Sequence, residues 1–141
     1  MISATRKIQV NEKFGKSYKL CKEKEISLLF KGGVKTHKFP FSVHYMLIEE
    51  DRITPFQMVI SVPKRNFKKA HDRNRIKRQI KEAIRKNKLN LETFLINEKL
   101  QLSVFILYSH KEELKFDDLS KKTEHFISFL IENIKNEKLS N

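Results

Sequence analysis

The residues with the clearest chemical potential lie in one basic segment, "KKAHDRNRIKRQIKEAIRKNK", at positions 68–88. Residues 64–88 hold 12 Lys and Arg against 2 acids, a local charge of +10 in a chain whose formal net charge is +13. Guanidinium groups bind phosphate oxygens through a planar fork, and ammonium groups act as point charges. This local excess of cations therefore predicts a binding face for a phosphate-bearing polyanion.

A helical period runs through the same segment. At ~100° per residue, one sector is apolar and contains Ile76, Ile80, Ala83 and Ile84. The neighbouring sector, here called the cation ladder, contains Asn74, Arg78, Lys81 and Arg85, with Lys77 and Lys88 at its border. Arg73 and Arg75 fall in the first turn, where free backbone N–H groups also favour phosphate. We expect the apolar side to dock on a sheet while the cation ladder faces the ligand.

Other interpretations of this helix fit less well. An ordinary solvated face would carry carboxylates at i,i+4, but Asp72 and Glu82 are the only acids between 64 and 88. Calmodulin-type or membrane-surface binding needs a wide apolar face on an isolated helix, whereas this apolar face is needed for the core. Reading of a DNA major groove needs a protruding helix, and a docked helix with a cationic flank better suits contact with a nucleic-acid backbone.

The acids and histidines show no pattern of a catalytic or metal centre. A self-sufficient nuclease needs clustered carboxylates or His, but the Asp residues lie in different predicted turns and helix starts. The five His are scattered, and the single Cys21 excludes an internal disulfide and fits a reducing compartment. We expect no catalytic residue and no metal ligand in this chain.

The remaining chain predicts one small α+β domain with the order α-β-β-α-β-α. "CKEKEISLLFKGG" (21–33) predicts a helix that ends at Gly32–Gly33, and "FPFSVHYMLIEE" (39–50) predicts a strand with one apolar face. "FQMVISVP" (56–63) predicts its hairpin partner, and "QLSVFILYS" (101–109) a third strand. An amphipathic helix starts near Asp117, while residues 89–100 are open between a helical turn and a loop.

The chain as a whole divides into three predicted parts. Residues 1–18 are a flexible basic arm, 19–135 a single domain, and 136–141 a tail. No apolar run approaches the ~18 residues of a membrane span, and the N-terminus lacks the apolar region of a secretory signal. We therefore expect the cytoplasm, and no membrane partner.

One segment resembles a known signature. "SVPKRNFKKAHDRNRIKRQIKEAIR" (61–85) is similar to that of the bacterial ribonuclease P protein component: a strand, a basic loop, then Arg-Asn-Arg opening a basic helix. Ala70 and the block 73–78 match residue for residue. Upstream, "KLCKEKEISLLFKGG" (19–33) resembles the first helix of that family. The resemblance extends over about residues 18–135.

This resemblance implies a fold and a function. The fold is a small two-layer α+β sandwich with a central, mostly antiparallel sheet, about three helices, one more strand than periodicity locates, and a left-handed β-α-β crossover against the usual rule. The function is that of the protein subunit of ribonuclease P, an endoribonuclease of tRNA maturation that binds a catalytic RNA and the 5′ leader of precursor tRNA. The RNA would hold the catalytic Mg²⁺, with none bound tightly by this chain, and no obligate protein partner is implied.

The resemblance also assigns residues by position. Those facing the catalytic RNA are Arg73, Asn74, Arg75, Lys77 and Arg78, with Lys64, Arg65 and Lys68 in the loop; Lys81 and Arg85 continue the same cationic flank. The leader would lie in a cleft between the first helix and the sheet, lined by Ile26, Phe30, Ser42, His44 and Ser61. A base can stack on Phe30, and such platforms tolerate any sequence. The alternative is a ribosomal or general RNA-binding protein without a cleavage partner; the match at 61–85 favours ribonuclease P.

Overall fold

The computed structural model describes residues 23–48 and 54–140, except for the side chains of 138–140. The elements in chain order are α1 (Glu23–Gly32), β1 (Val34–Lys38), β2 (Phe41–Ile48), β3 (Phe56–Ser61), α2 (Ala70–Asn87), α3 (Leu89–Asn97), β4 (Gln101–Tyr108) and α4 (Phe116–Ser140). The α+β class is confirmed, and the described residues contain four helices where about three were expected. The predicted basic arm, 1–18, lies outside the described residues.

The four strands form one sheet in the order β1-β2-β4-β3. The pairs β1–β2 and β2–β4 are antiparallel, and β3–β4 is parallel, so the expected mostly antiparallel sheet is confirmed. The chain passes from β3 to β4 through α2 and α3. The left-handed course of that crossover stays a prediction from the resemblance.

The predicted hairpin between 39–50 and 56–63 is wrong, because β4 lies between β2 and β3. The hairpin partner of β2 is β1, to which it is joined through Phe39 and Pro40. On its other side all eight residues of β2 pair with β4. β1, "VKTHK", is the additional strand that the resemblance implied. It contains a single apolar residue, so no alternation of apolar and polar residues marks it in the sequence.

One face of the sheet carries the core. Alternate residues of β2 and β4 point into it, and the apolar stripe predicted for α2 is buried there in full: Ile76, Ile80, Ala83 and Ile84. α4 adds the buried residues Leu119, Phe126, Leu130 and Ile134, as its predicted amphipathic character requires, and packs along α2. Burial of a large apolar side chain contributes ~1.5–3 kcal/mol to stability. The apolar face of α2 therefore stays packed in the core and is not available for binding to a membrane or to a groove of a partner protein.

Residues 89–97 form helix α3. Of the two predictions for 89–100, a helical turn or a loop, the helical one is therefore confirmed. Lys88 is the single residue between α2 and α3. Lys88 is only 2% exposed, and its Nζ lies 2.6 Å from Oε1 of the fully buried Glu92. The prediction that Lys88 borders the cation ladder is therefore wrong, since α2 ends at Asn87 and the Lys88 side chain is buried with Glu92 of α3.

The predicted stop of α1 at glycine is confirmed, with a cause other than a left-handed backbone. The Gly33 N–H donates to the Leu29 carbonyl at 3.0 Å. A Cβ on Gly33 would lie 2.6 Å from that carbonyl oxygen and 2.9 Å from the carbonyl oxygen of Tyr45, and Gly33 has no positive φ. Gly33 is thus required by the close approach of α1 to β2.

The C-terminal helix is longer than predicted. α4 runs to Ser140, so the boundary expected at residue 135 falls inside the helix and 136–140 extend it. Of the helices in the described ranges, α4 included, none is both long and apolar enough to cross a membrane.

Candidate nucleic-acid interface

The cation ladder lies on the solvent side of α2, as the helical period predicts. Asn74, Arg78 and Lys81 are exposed, and Arg85 and Lys77 are partly buried. Within residues 23–48 and 54–140, neither Arg78 nor Lys81 has a carboxylate partner. Their charges are therefore available to an external anion.

Arg75, in contrast, is already bound to two carboxylates. Its Nε and Nη2 donate to both oxygens of Glu113 at 2.7–3.2 Å, and Nη2 also donates to Asp72 at 3.0 Å. The guanidinium group of Arg75 lowers the pKa of Glu113. This clamp joins the first turns of α2 to the segment 109–115, which links β4 to α4. A phosphate would have to displace a carboxylate to reach Arg75.

Arg85 is paired in a similar way. Its Nε and Nη2 donate to the two oxygens of Glu82 at 3.0 and 2.7 Å. Both helical pairs, Asp72–Arg75 and Glu82–Arg85, are spaced i,i+3. The prediction concerned partners at i,i+4 only, so it did not anticipate the carboxylates that these two arginines bind.

The basic loop between β3 and α2 is held in place by Arg73. Nη1 of Arg73 donates to the carbonyl oxygens of Phe67 and Lys68 at 2.8 and 2.9 Å. The Phe67 ring packs 6.0 Å from that of the core residue Tyr108. Lys64, Arg65 and Lys68 project from this loop and are exposed. Arg73 therefore shapes the surface that presents the loop cations.

The second predicted surface is the face of the sheet opposite the core, here called the outer face. α1 packs across it against β2 and β4. Two rows of paired residues cross it, Lys35–His44–Phe105–Val59 and His37–Ser42–Leu107–Ser61. Directly paired residues point to the same side of a sheet, so the predicted Ser42, His44 and Ser61 share this face.

An aromatic cluster forms where α1 meets the outer face. The Phe30 ring is 50% exposed, and its centroid lies 4.6 Å from that of His44 and 4.8 Å from that of Phe105. Ile26 is partly buried one turn earlier on α1. Ser42 and Ser61 lie in the next row, on either side of Leu107. The structure thus brings Phe30 and His44 into contact, while Ser61 is two strands away from Ser42.

Sequence reasoning missed Phe105 and its neighbours on the outer face. The sequence of 101–109 predicts one apolar strand, but in the structure Val104 and Ile106 face the core while Phe105 and Leu107 face outward. A strand that is apolar on both faces signals that both faces are covered or bound, and this pattern was visible in the sequence. Lys35 was missed because β1 was not located.

The cluster keeps His44 uncharged. Burial lowers the pKa of His44, and the positive charge of Lys35, its neighbour across the strand pair, lowers it further. A His whose pKa lies below its ordinary value of 6.5 is neutral at pH 7. A neutral imidazole beside two phenyl rings forms an apolar platform with a serine-lined rim, which suits the faces of unpaired bases.

No group of three or more His, Cys, Asp or Glu side chains that could hold a metal ion occurs in the part of the chain that the structure describes.

Comparison with known proteins gives concordant results. The family described as Ribonuclease P matches residues 14–130. A ribonuclease P protein component of Porphyromonas gingivalis is 29% identical over 126 residues, covering 89% of this chain and 92% of that protein. The solved RNase P protein of Staphylococcus aureus superposes with a TM-score of 0.62 at 20% identity, over 82% of this chain and 96% of that one. That of Thermotoga maritima gives 0.58 at 20% identity, over 77% and 94%.

Proposed function

This chain belongs to the ribonuclease P protein family, the protein component of the endoribonuclease that matures the 5′ ends of tRNA, and from that premise we propose how its two surfaces act. The cation ladder and the loop bind the catalytic RNA. The outer face binds the 5′ leader of precursor tRNA. The observation that carries this assignment is the separation of chemistries: unpaired cations lie on α2, and half-exposed aromatic rings lie across the sheet from the core.

The contact with the catalytic RNA follows from the exposed cations. We assign it to Arg78 and Lys81 with the loop residues Lys64, Arg65 and Lys68, and to Asn74 and Lys77 beside them. Arg73 contributes by fixing the loop. Arg75 and Arg85 contribute only to the extent that phosphate replaces the carboxylates of Glu113 and Glu82. Mixed Lys and Arg along one helix flank suit contact with the RNA backbone more than reading of bases.

Variants of Arg78 and Arg75 should therefore differ in the salt dependence of their affinity for RNA. Each phosphate neutralised adds ~0.7–0.9 to the slope of log affinity against log salt. We expect Arg78→Ala to lower that slope by about this amount and Arg75→Ala to leave it nearly unchanged, because Arg75 is already paired. Titration of the catalytic RNA at four salt concentrations measures both slopes. Equal losses in the two variants would show that the Glu113 clamp opens on binding.

The leader contact uses the platform of Phe30, His44 and Phe105. Stacking of one base on an aromatic side chain contributes ~1–3 kcal/mol and does not depend on sequence. Ile26, Ser42 and Ser61 border this platform and would contact the sugar and phosphate of the same strand. The single-stranded leader is the part of precursor tRNA whose bases are open to such contact.

Phe30→Ala should weaken binding of precursor tRNA by the holoenzyme about tenfold, corresponding to the ~1.4 kcal/mol within the range for one stacked base. The loss should occur with a leader of several nucleotides and vanish with a substrate that has no leader. Affinity for the catalytic RNA alone should not change. A loss that persists without a leader would place Phe30 outside the leader contact.

The catalytic chemistry is assigned to the RNA partner. We propose that the Mg²⁺ of the holoenzyme is held by the catalytic RNA and that this chain supplies RNA affinity and substrate positioning, as family membership implies. We propose the cytoplasm as the compartment, because the precursor tRNA of a bacterial cell is found there.

A further inference from the structure

A second exposed aromatic ring lies at the β1–β2 turn, outside both surfaces described above. Within the described ranges, Phe30 and Phe39 are the aromatic residues among the exposed large hydrophobic side chains, and Phe39 is 43% exposed. The strand predicted from 39 begins instead at Phe41, so Phe39 is not part of the core face. Neither the fold nor the leader platform accounts for this ring.

Cations and a histidine surround Phe39. The Nζ atom of Lys122 on α4 lies 5.7 Å from the centroid of the Phe39 ring, and the His110 ring packs edge-on at 4.9 Å. Beside them, Nζ of Lys38 lies 5.4 Å from the ring of Phe129. Lys38 and Lys122 are both exposed. We call Phe39, His110, Lys38 and Lys122 the Phe39 cluster.

The turn that carries Phe39 is fixed. The carbonyl oxygen of Pro40 accepts hydrogen bonds from the Ser109 N–H at 2.9 Å and from Ser109 Oγ at 3.1 Å. His37 Nε2 lies 3.5 Å from the same Oγ atom. These contacts tie the turn to the end of β4. A ring held in this way needs little ordering when a ligand binds, which favours affinity.

The Phe39 cluster is continuous with the proposed RNA-binding surfaces. β1 and β2 meet at the end of the sheet where β3 and β4 finish, because Lys38 pairs with Phe41, Phe41 with Tyr108 and Ser61 with Leu107. The Tyr108 ring lies 6.0 Å from Phe67 of the basic loop and 6.3 Å from His110. The outer-face row that ends in Ser61 begins with His37, which lies on β1 two residues before Phe39.

The chemistry of the cluster selects its ligand. The Lys122 ammonium group lies over the Phe39 ring, and the neighbouring residue Lys38 is exposed. An exposed ring with cations beside it suits a planar base joined to phosphate, with stacking on Phe39 and charge neutralisation by Lys38 or Lys122. A second copy of this chain, with its net charge of +13, would be repelled from the same patch. We propose that the Phe39 cluster is a second stacking site for an unpaired nucleotide of RNA, separate from the Phe30 platform. The proposal rests on the proposed function only in taking RNA as the ligand.

The source of that nucleotide is distinguished by two measurements. Wild type and Phe39→Ala are compared for binding to the catalytic RNA alone, and then, in the holoenzyme, for binding to precursor tRNA with and without a leader. We expect about a tenfold loss in one of them, corresponding to ~1.4 kcal/mol from one stacked base. A loss in the first assigns the nucleotide to the catalytic RNA, and a leader-dependent loss in the second assigns it to the leader.

Two further variants separate stacking from packing. Phe39→Trp should bind within about twofold of wild type, while Phe39→Leu, which keeps apolar bulk without a ring, should melt like wild type and bind like Phe39→Ala. Leu89→Ala is the matched control, since Leu89 is 58% exposed at the α2–α3 junction. It should change neither the affinity for the catalytic RNA nor that for precursor tRNA.

The proposal is overturned if Phe39→Ala or Phe39→Leu binds both RNAs within about twofold of wild type while Phe30→Ala shows its leader-dependent loss. It is also overturned if Phe39→Ala alters self-association of the free protein and leaves RNA affinity intact. Failure of Phe30→Ala and of the α2 variants would instead count against the proposed function, so the two failures are distinguishable.

Discussion

Reversal of two charges on α2, Arg78→Glu with Lys81→Glu, should reduce affinity for the catalytic RNA by at least ~100-fold at moderate salt. Both side chains are exposed, and among the described residues neither has a carboxylate partner, so their charge is directed at the ligand. Loss of two phosphate contacts should also lower the log–log salt slope by ~1.4–1.8, and the new carboxylates would repel the RNA backbone.

The fold should survive this change, since substitutions at exposed positions usually alter stability by less than ~0.5 kcal/mol. The control is Lys99→Glu with Lys121→Glu, which makes the same change in net charge at exposed positions away from α2. We expect the control to lose a small fraction of the affinity, through long-range attraction alone. If both double variants weaken binding equally, the total charge and not the α2 flank is responsible, and the assigned interface is incorrect.

The largest expected effect on stability concerns Lys88 and Glu92. Their side chains are 2% and 0% exposed, and removal of one partner would leave a charge buried without its counterion. We expect Lys88→Met to lower the free energy of unfolding by about 3–5 kcal/mol. Urea denaturation measures this change directly.

The double variant Lys88→Met with Glu92→Leu should recover most of that loss, because replacement of a buried pair by apolar side chains of similar volume is often nearly neutral. A Lys88→Met protein within about 1 kcal/mol of wild type would contradict this account and would mean that the other contacts of Glu92 suffice.

Local patterns predicted the elements well. The 3.6-residue period of 70–87 places the buried stripe and the exposed ladder on the correct sides of α2, because one helix contains all the information that this division needs. The same holds for the apolar faces of β2 and α4. The resemblance assigns Phe30 and His44 to one proposed leader site, and the structure places their rings in contact.

What failed depends on residues distant in the chain. The alternation of apolar and polar residues predicts which face of β2 is buried, but it does not predict which strands pair with β2. The position of β4 between β2 and β3 was therefore missed. Glu113 lies 38 residues from Arg75, and no helical wheel relates them. Lys88 was misplaced because the helical period of α2 ends before it, at the junction between α2 and α3. The apolar pattern of 101–109 indicates that both faces of this strand are covered, but only the pairing of β2 with β4 shows that Phe105 lies on the outer face beside His44.

The measurement that tests the central claim most directly is cleavage of precursor tRNA by the cognate catalytic RNA at low Mg²⁺, with and without this protein. We predict strong stimulation that yields a mature 5′ phosphate end, retained by Lys99→Glu with Lys121→Glu and lost by Arg78→Glu with Lys81→Glu. No stimulation by the wild-type protein, with salt-sensitive RNA binding intact, would contradict a role in ribonuclease P and indicate a general RNA-binding protein.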